Sequence, residues 1–138
     1  MKAPIAFALL AAAAAAAAAS PPASAQRPRP VMIGTPAGDL GCWAMGDLTG
    51  PDPRGRNALS VRAAPDARAR AVDRVGPIER IHFCEYTRDE RWVGIVYPHR
   101  QTPDEDCGLD VPARPRRAYA GPCLSGWVPA RYTEEYGD

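Results

Sequence analysis

Residues 59–72 read LSVRAAPDARARAV. In the first four, Leu59 and Val61 stand two apart with Ser60 and Arg62 between them, the spacing that sends alternate side chains to opposite faces of a strand. Pro65-Asp66 follows, and a proline, which holds φ and lacks an amide hydrogen, starts a turn without needing a ladder bond. The stretch reads as a short strand with one apolar face, ended by a turn. Its continuation, DARARAVDRV at 66–75, is the best helix candidate in the chain, but it is short and closed by Gly76-Pro77, so strands are the better reading throughout.

Outward from this point the same pattern repeats. Stretches 42–48, 58–62, 80–86, 91–97 and 125–128 are short and rich in β-branched or aromatic residues. Turn signals separate them: Gly50-Pro51-Asp52-Pro53, Pro65-Asp66, Gly76-Pro77 and Arg88-Asp89-Glu90. Ile81 and Phe83 fall on one side of their stretch and His82 on the other. The expectation is an all-β domain, a small barrel or sandwich of about five short antiparallel strands. Two connections are long, TGPDPRGRNA at 49–58 and the excursion at 98–124. Loops of that length without regular structure are usually functional or stapled.

The first residues address the compartment. Lys2 precedes an apolar run from Ile5 to Ala19, then small residues and prolines, with Ala23-Ser24-Ala25 as a cleavage pattern; residues 1–25 are expected to be a secretory signal peptide. The run is shorter than the roughly 20 residues a spanning helix needs, and no membrane span is expected after cleavage. Residues 26–38, with Pro28, Pro30 and Pro36, have no sustained period and read as an extended, poorly ordered leader. The chain counts 17 Lys plus Arg against 16 Asp plus Glu; without Lys2 the balance is zero, which forecasts no capture of nucleic acid or anionic lipid.

Four cysteines, Cys42, Cys84, Cys107 and Cys123, lie beyond the signal. An even set in a chain bound for an oxidising space points to two disulfides. Three pairings are possible, and the preferred one joins Cys107 to Cys123 and Cys42 to Cys84, because the first two bracket a polar, proline-broken segment without a core of its own. No Cys-x-x-Cys pair exists, and His82 and His99 complete no ligand spacing, so neither metal nor cofactor is expected.

LSVRAAP, carried by Leu59, Val61, Arg62 and Pro65, resembles the Leu-x-Val-Arg-x-x-Pro signature of bacterial SH3-like (SH3b) domains. Gly126-Trp127-Val128 followed by Tyr132 is similar to the family's closing Gly-Trp-Val-x-x-x-Tyr, and ERWVGIVY at 90–97 sits where the family has its Trp-bearing strand. Ala64 stands where the family commonly has Gly, and the excursion replaces a usually tight turn. The resemblance implies a small SH3-like barrel over 39–138 with a disulfide-closed insertion at 98–124 before the last strand. It implies a periplasmic or secreted, non-catalytic binding module for cell-wall peptides or extracytoplasmic protein segments. The alternative is an interaction or inhibitor-like scaffold that uses the 98–124 loop, with PARPRRAY as its contact element.

No reaction chemistry converges in the sequence. SH3b modules often accompany cell-wall peptidases with a Cys/His pair, but this chain has no room for that domain, and an exported thiol in an even set is oxidised rather than nucleophilic. Trp127 beside Val128 is expected to close the core, its indole N–H on a backbone carbonyl. His82 and His99 read as solvated or hydrogen-bonded. Asp104-Glu105-Asp106 lacks calcium-loop spacing, and Arg114-Pro115-Arg116-Arg117 is a local basic patch able to dock on that acidic run. Aromatic residues exceed what a small core holds, so some should anchor ligand; Trp92, Tyr97 and Tyr132 are the candidates, in a cleft between the 49–58 loop and the excursion.

Overall fold

The computed structural model describes residues 27–36, 38, 40–50 and 58–137, with only the backbone of Glu79. The stretch read as a signal peptide lies outside these, as do residues 51–57 of the first long loop. The described strands are β1 (Met32–Ile33), β2 (Ala44–Leu48), β3 (Leu59–Arg62), β4 (Ala71–Val75), β5 (Ile78–Tyr86), β6 (Trp92–Tyr97), β7 (Arg117–Ala118), β8 (Leu124–Pro129) and β9 (Thr133–Glu135), with one 3-10 turn at Ala130–Tyr132. All pairings are antiparallel. Seven strands form one sheet in the order β4-β3-β8-β6-β5-β2-β9, and β1 with β7 forms a small ribbon.

The chain is therefore all-β, and each of the five expected stretches contains a strand. The expected barrel of about five strands is not what forms: the sheet has seven strands and is open, its order ending at β4 and β9. Two strands were added. The helix candidate at 66–75 forms β4 instead, because Ala63 N–H bonds Arg70 O and Ala69 N–H bonds Asp66 O, closing a turn that returns Val75 opposite Leu59. Thr133–Glu135 has too few residues to show a period, yet pairs with β2 from Gly46 to Leu48. The sheet still curls: Leu48 of β2 and Val75 of β4, near opposite ends of the strand order, share one cluster with Leu59, Val61, Phe83 and Val128.

The second face carries a second core. Val31 and Ile33, from the segment read as a poorly ordered leader, are buried there with Val96, Leu109, Trp127 and all four cysteines. At about 1.5–3 kcal/mol for each fully buried aliphatic or aromatic side chain, these contacts outweigh the leader's proline content. Its backbone is engaged too: Arg29 N–H bonds Ala63 O and Tyr119 N–H bonds Val31 O. The folded part thus begins well before Asp39. Gly94 of β6 makes room for this strap, since a Cβ there would lie 3.0 Å from Val31 Cγ1.

β6 and β8 run between the two cores, which period-2 alternation explains. Val93, Ile95 and Tyr97 enter one cluster while Val96 enters the other; on β8, Trp127 and Val128 divide in the same way. The sulfurs pair as Cys42–Cys84, with sequence separation 42, and Cys107–Cys123, with separation 16. By loop-closure entropy these links stabilise by about 4 and about 3 kcal/mol. Among the described residues no helix is long and apolar enough to cross a membrane.

Candidate functional site

Trp92 opens β6 and Tyr132 ends the 3-10 turn after β8. Trp92 pairs with Pro129 across the two strands, and Ala130 N–H bonds Arg91 O at 2.9 Å. That register brings both rings to one groove of about 620 Å³, which Leu59, Arg62, Arg91 and Arg131 also line. Each arginine has a fixed place. Arg62 donates through Nη1 to Ala69 O at 2.7 Å, and Arg91 through Nε to Asp89 Oδ2 at 2.7 Å. The Arg131 guanidinium lies 4.7 Å over the Tyr132 ring, a cation–π contact. The Thr87 hydroxyl, then Arg91, hold the Asp89 carboxyl down at about 2.

Tyr97 does not belong to this groove. It is 2% exposed, and its hydroxyl donates to Asp73 Oδ2 at 2.9 Å. Burial, and then Asp73, push its phenol far above the ordinary range. The reason is parity: Trp92 and Tyr97 are an odd number of residues apart on one strand, so they face opposite sides. Of the three aromatic candidates, two come together and the third is core.

A second groove, of about 700 Å³, was not anticipated. Trp43, 56% exposed, lines it with Pro36, Tyr86, Glu85 and Arg116. Burial, and then Glu135, raise the Tyr86 phenol, which donates to the Glu135 carboxylate. Glu85 is 3% exposed, and it accepts from Met32 N–H at 3.0 Å, from Arg29 at 3.4 Å and from Arg116. The signal for Trp43 in the chain is its place directly after Cys42, whose side chain is buried.

The cleft expected between the 49–58 loop and the excursion falls partly on residues 51–57, outside the described residues; beside the excursion, Thr49, His82, Asp104, Asp106 and Asp110 line a cleft of about 990 Å³ that contains none of the aromatic candidates. Burial lowers the His82 pKa, opposed by Asp110 and then Asp106. The basic patch does not dock on the acidic run: Arg116 bonds Glu85 and Arg114 Nε bonds Gly38 O at 3.3 Å. Glu105 instead lies 2.8 Å from His99 Nδ1, and that hydrogen bond lowers its pKa. Comparison with protein-family models, curated proteins and solved structures finds no match.

Proposed function

We propose that the chain is an exported, non-catalytic binding module of SH3b type and that a cell-wall peptide occupies the Trp92–Tyr132 groove. The observation that carries this reading is that two aromatic faces from separate elements line one groove of about 620 Å³, within the size range of small-ligand sites. In this reading β2, β3, β5, β6 and β8 are a widened SH3-like framework to which β4 and β9 add at the edges. The insertion is anchored at single residues, with Pro112, Arg114, Pro115, Arg117 and Ala118 exposed. Ala113 is buried, Arg116 is held by Glu85, and Tyr119 donates to Cys107 O at 2.9 Å while accepting from Cys123 N–H at 3.1 Å.

Co-sedimentation of the purified chain, from Gln26 onward, with isolated sacculi tests this. Binding that Trp92→Ala abolishes is expected. Absence of sedimentation, with capture of a specific protein that is lost when residues 108–122 are shortened, would replace it with the scaffold reading.

A further inference from the structure

The charges around the Trp92–Tyr132 groove are predominantly of one sign. Arg62, Arg91 and Arg131 line it; of the acids beside them, Asp66 is engaged with Arg68 at 3.3 Å and Asp89 with Arg91 at 2.7 Å. Hydrogen bonding from Arg68 holds the Asp66 carboxyl below its ordinary range, so Asp66 is ionised and already partnered at neutral pH. Among the described residues no carboxylate lies within ion-pair distance of Arg62 or Arg131. Arg91 meets Asp89 through Nε, which leaves donors of its fork for a second acceptor. The Arg131 guanidinium lies over the Tyr132 ring, and its fork of five N–H groups offers donors to a carboxylate.

We infer that this groove reads a free carboxylate of a short peptide. Arg131 and Arg91 bond the carboxylate, Trp92 and Tyr132 lie along the adjoining apolar atoms, and Arg62 supplies a third positive charge from a fixed position. Forked arginine–carboxylate bonds are among the stronger charge-assisted hydrogen bonds. The volume suits a few residues, whereas a protein partner usually needs about 800 Å² of surface on each side. The cleft lined by Asp104, Glu105, Asp106 and Asp110, with Arg80 and His82, carries more acids than bases and disfavours the same ligand. This inference rests on the proposed wall-peptide function and adds the chemical group recognised.

The test compares native sacculi with sacculi whose free carboxylates have been converted to amides, using the wild-type chain, Arg131→Gln, Arg131→Lys and Arg91→Gln. The expected result is binding to native sacculi about tenfold tighter than to amidated ones. Arg131→Gln and Arg91→Gln should erase most of that difference, and Arg131→Lys should fall between. Equal binding to both sacculi would overturn the carboxylate reading while leaving wall binding standing. A native preference untouched by the arginine variants would overturn its assignment to this groove. Binding to neither would overturn the wall-peptide function and this inference with it. Arg131 is exposed, so its variants should fold, and near-ultraviolet circular dichroism checks that they do.

Discussion

Arg62 of β3 and Trp127 of β8 are direct partners across the sheet. The two ends of the sequence pattern, LSVR and GWV, therefore meet at one point in space. From there Trp127 is fully buried against the strap that passes over it, its Nε1–H donating to Arg29 O at 2.8 Å, with the Arg29 guanidinium 4.6 Å over its ring. The closing strand, the opening motif and the leader are coupled through this one side chain.

Replacing Trp127 should accordingly be severe. Trp127→Ala is expected to cost about 3–5 kcal/mol, the range for emptying a large aromatic site. Trp127→Phe should lose about 1–3 kcal/mol, since it leaves Arg29 O without its donor. Denaturant titration followed by far-ultraviolet circular dichroism measures both.

The strap is part of the domain, so shortening it should loosen the sheet. Val31→Ala is expected to cost about 1–3 kcal/mol through lost burial. Glu85→Ala, which frees Arg29 and Arg116 and leaves Met32 N–H without its acceptor, should cost about 1–2 kcal/mol. That figure is discounted from a fully buried pair because the two arginine side chains are 49% and 57% exposed. An unchanged denaturation midpoint after truncation before Gly34 would show that the strap contributes nothing.

The two cystines should differ in worth. Cys42→Ser with Cys84→Ser is expected to cost about 4 kcal/mol and Cys107→Ser with Cys123→Ser about 3 kcal/mol, following the lengths of the loops they close. Non-reducing peptide mapping checks the connectivity, and denaturant midpoints of the two double variants check the order.

Tyr97→Phe separates core from groove. It should leave sacculus binding unchanged and cost about 1 kcal/mol by removing the hydrogen bond to Asp73. Trp92→Ala should do the reverse at the binding assay, so a binding loss in Tyr97→Phe would argue against the groove as drawn.

Stability should fall with acid, in two stages. Burial lowers the folded-state pKa of His82 below its ordinary 6.5, so the unfolded chain takes up the proton first. The folded state loses ground as pH drops below 6.5 and stops losing it once the folded pKa is passed. The carboxyls of Asp66, Asp89 and Glu105 are lowered in the fold; their stabilisation is present above their unfolded values and is lost as pH falls through the folded ones. Urea midpoints from pH 8 to 3 should show both declines, and His82→Gln should flatten only the first.

Much of the local structure was legible in the chain. Leu59 with Val61 and Ile81 with Phe83 announced inward faces, and Pro65-Asp66 and Gly76-Pro77 announced turns, because alternation and turn chemistry act between near neighbours. Where reading failed, the deciding contact was distant. Val31 and Ile33 look like leader until β7 and Trp127 lie over them, and Tyr97 looks like a ligand anchor until its parity with Trp92 is set against two packed faces. Trp43 was legible from Cys42 but only once Cys42 was known to be inside.

By itself, the amino-acid order determined an all-β chain of brief strands, two long connections and four sulfurs suited to two bridges, since each follows from side chains within a few residues of one another. Only the tertiary structure decided that the sheet has seven strands and stays open, that the leader covers a second core, and that Trp92 and Tyr132 share a groove without Tyr97. Those outcomes depend on which strand lies beside which, and on the register between them. That is settled by competition for buried area across the whole fold, and no short stretch encodes it.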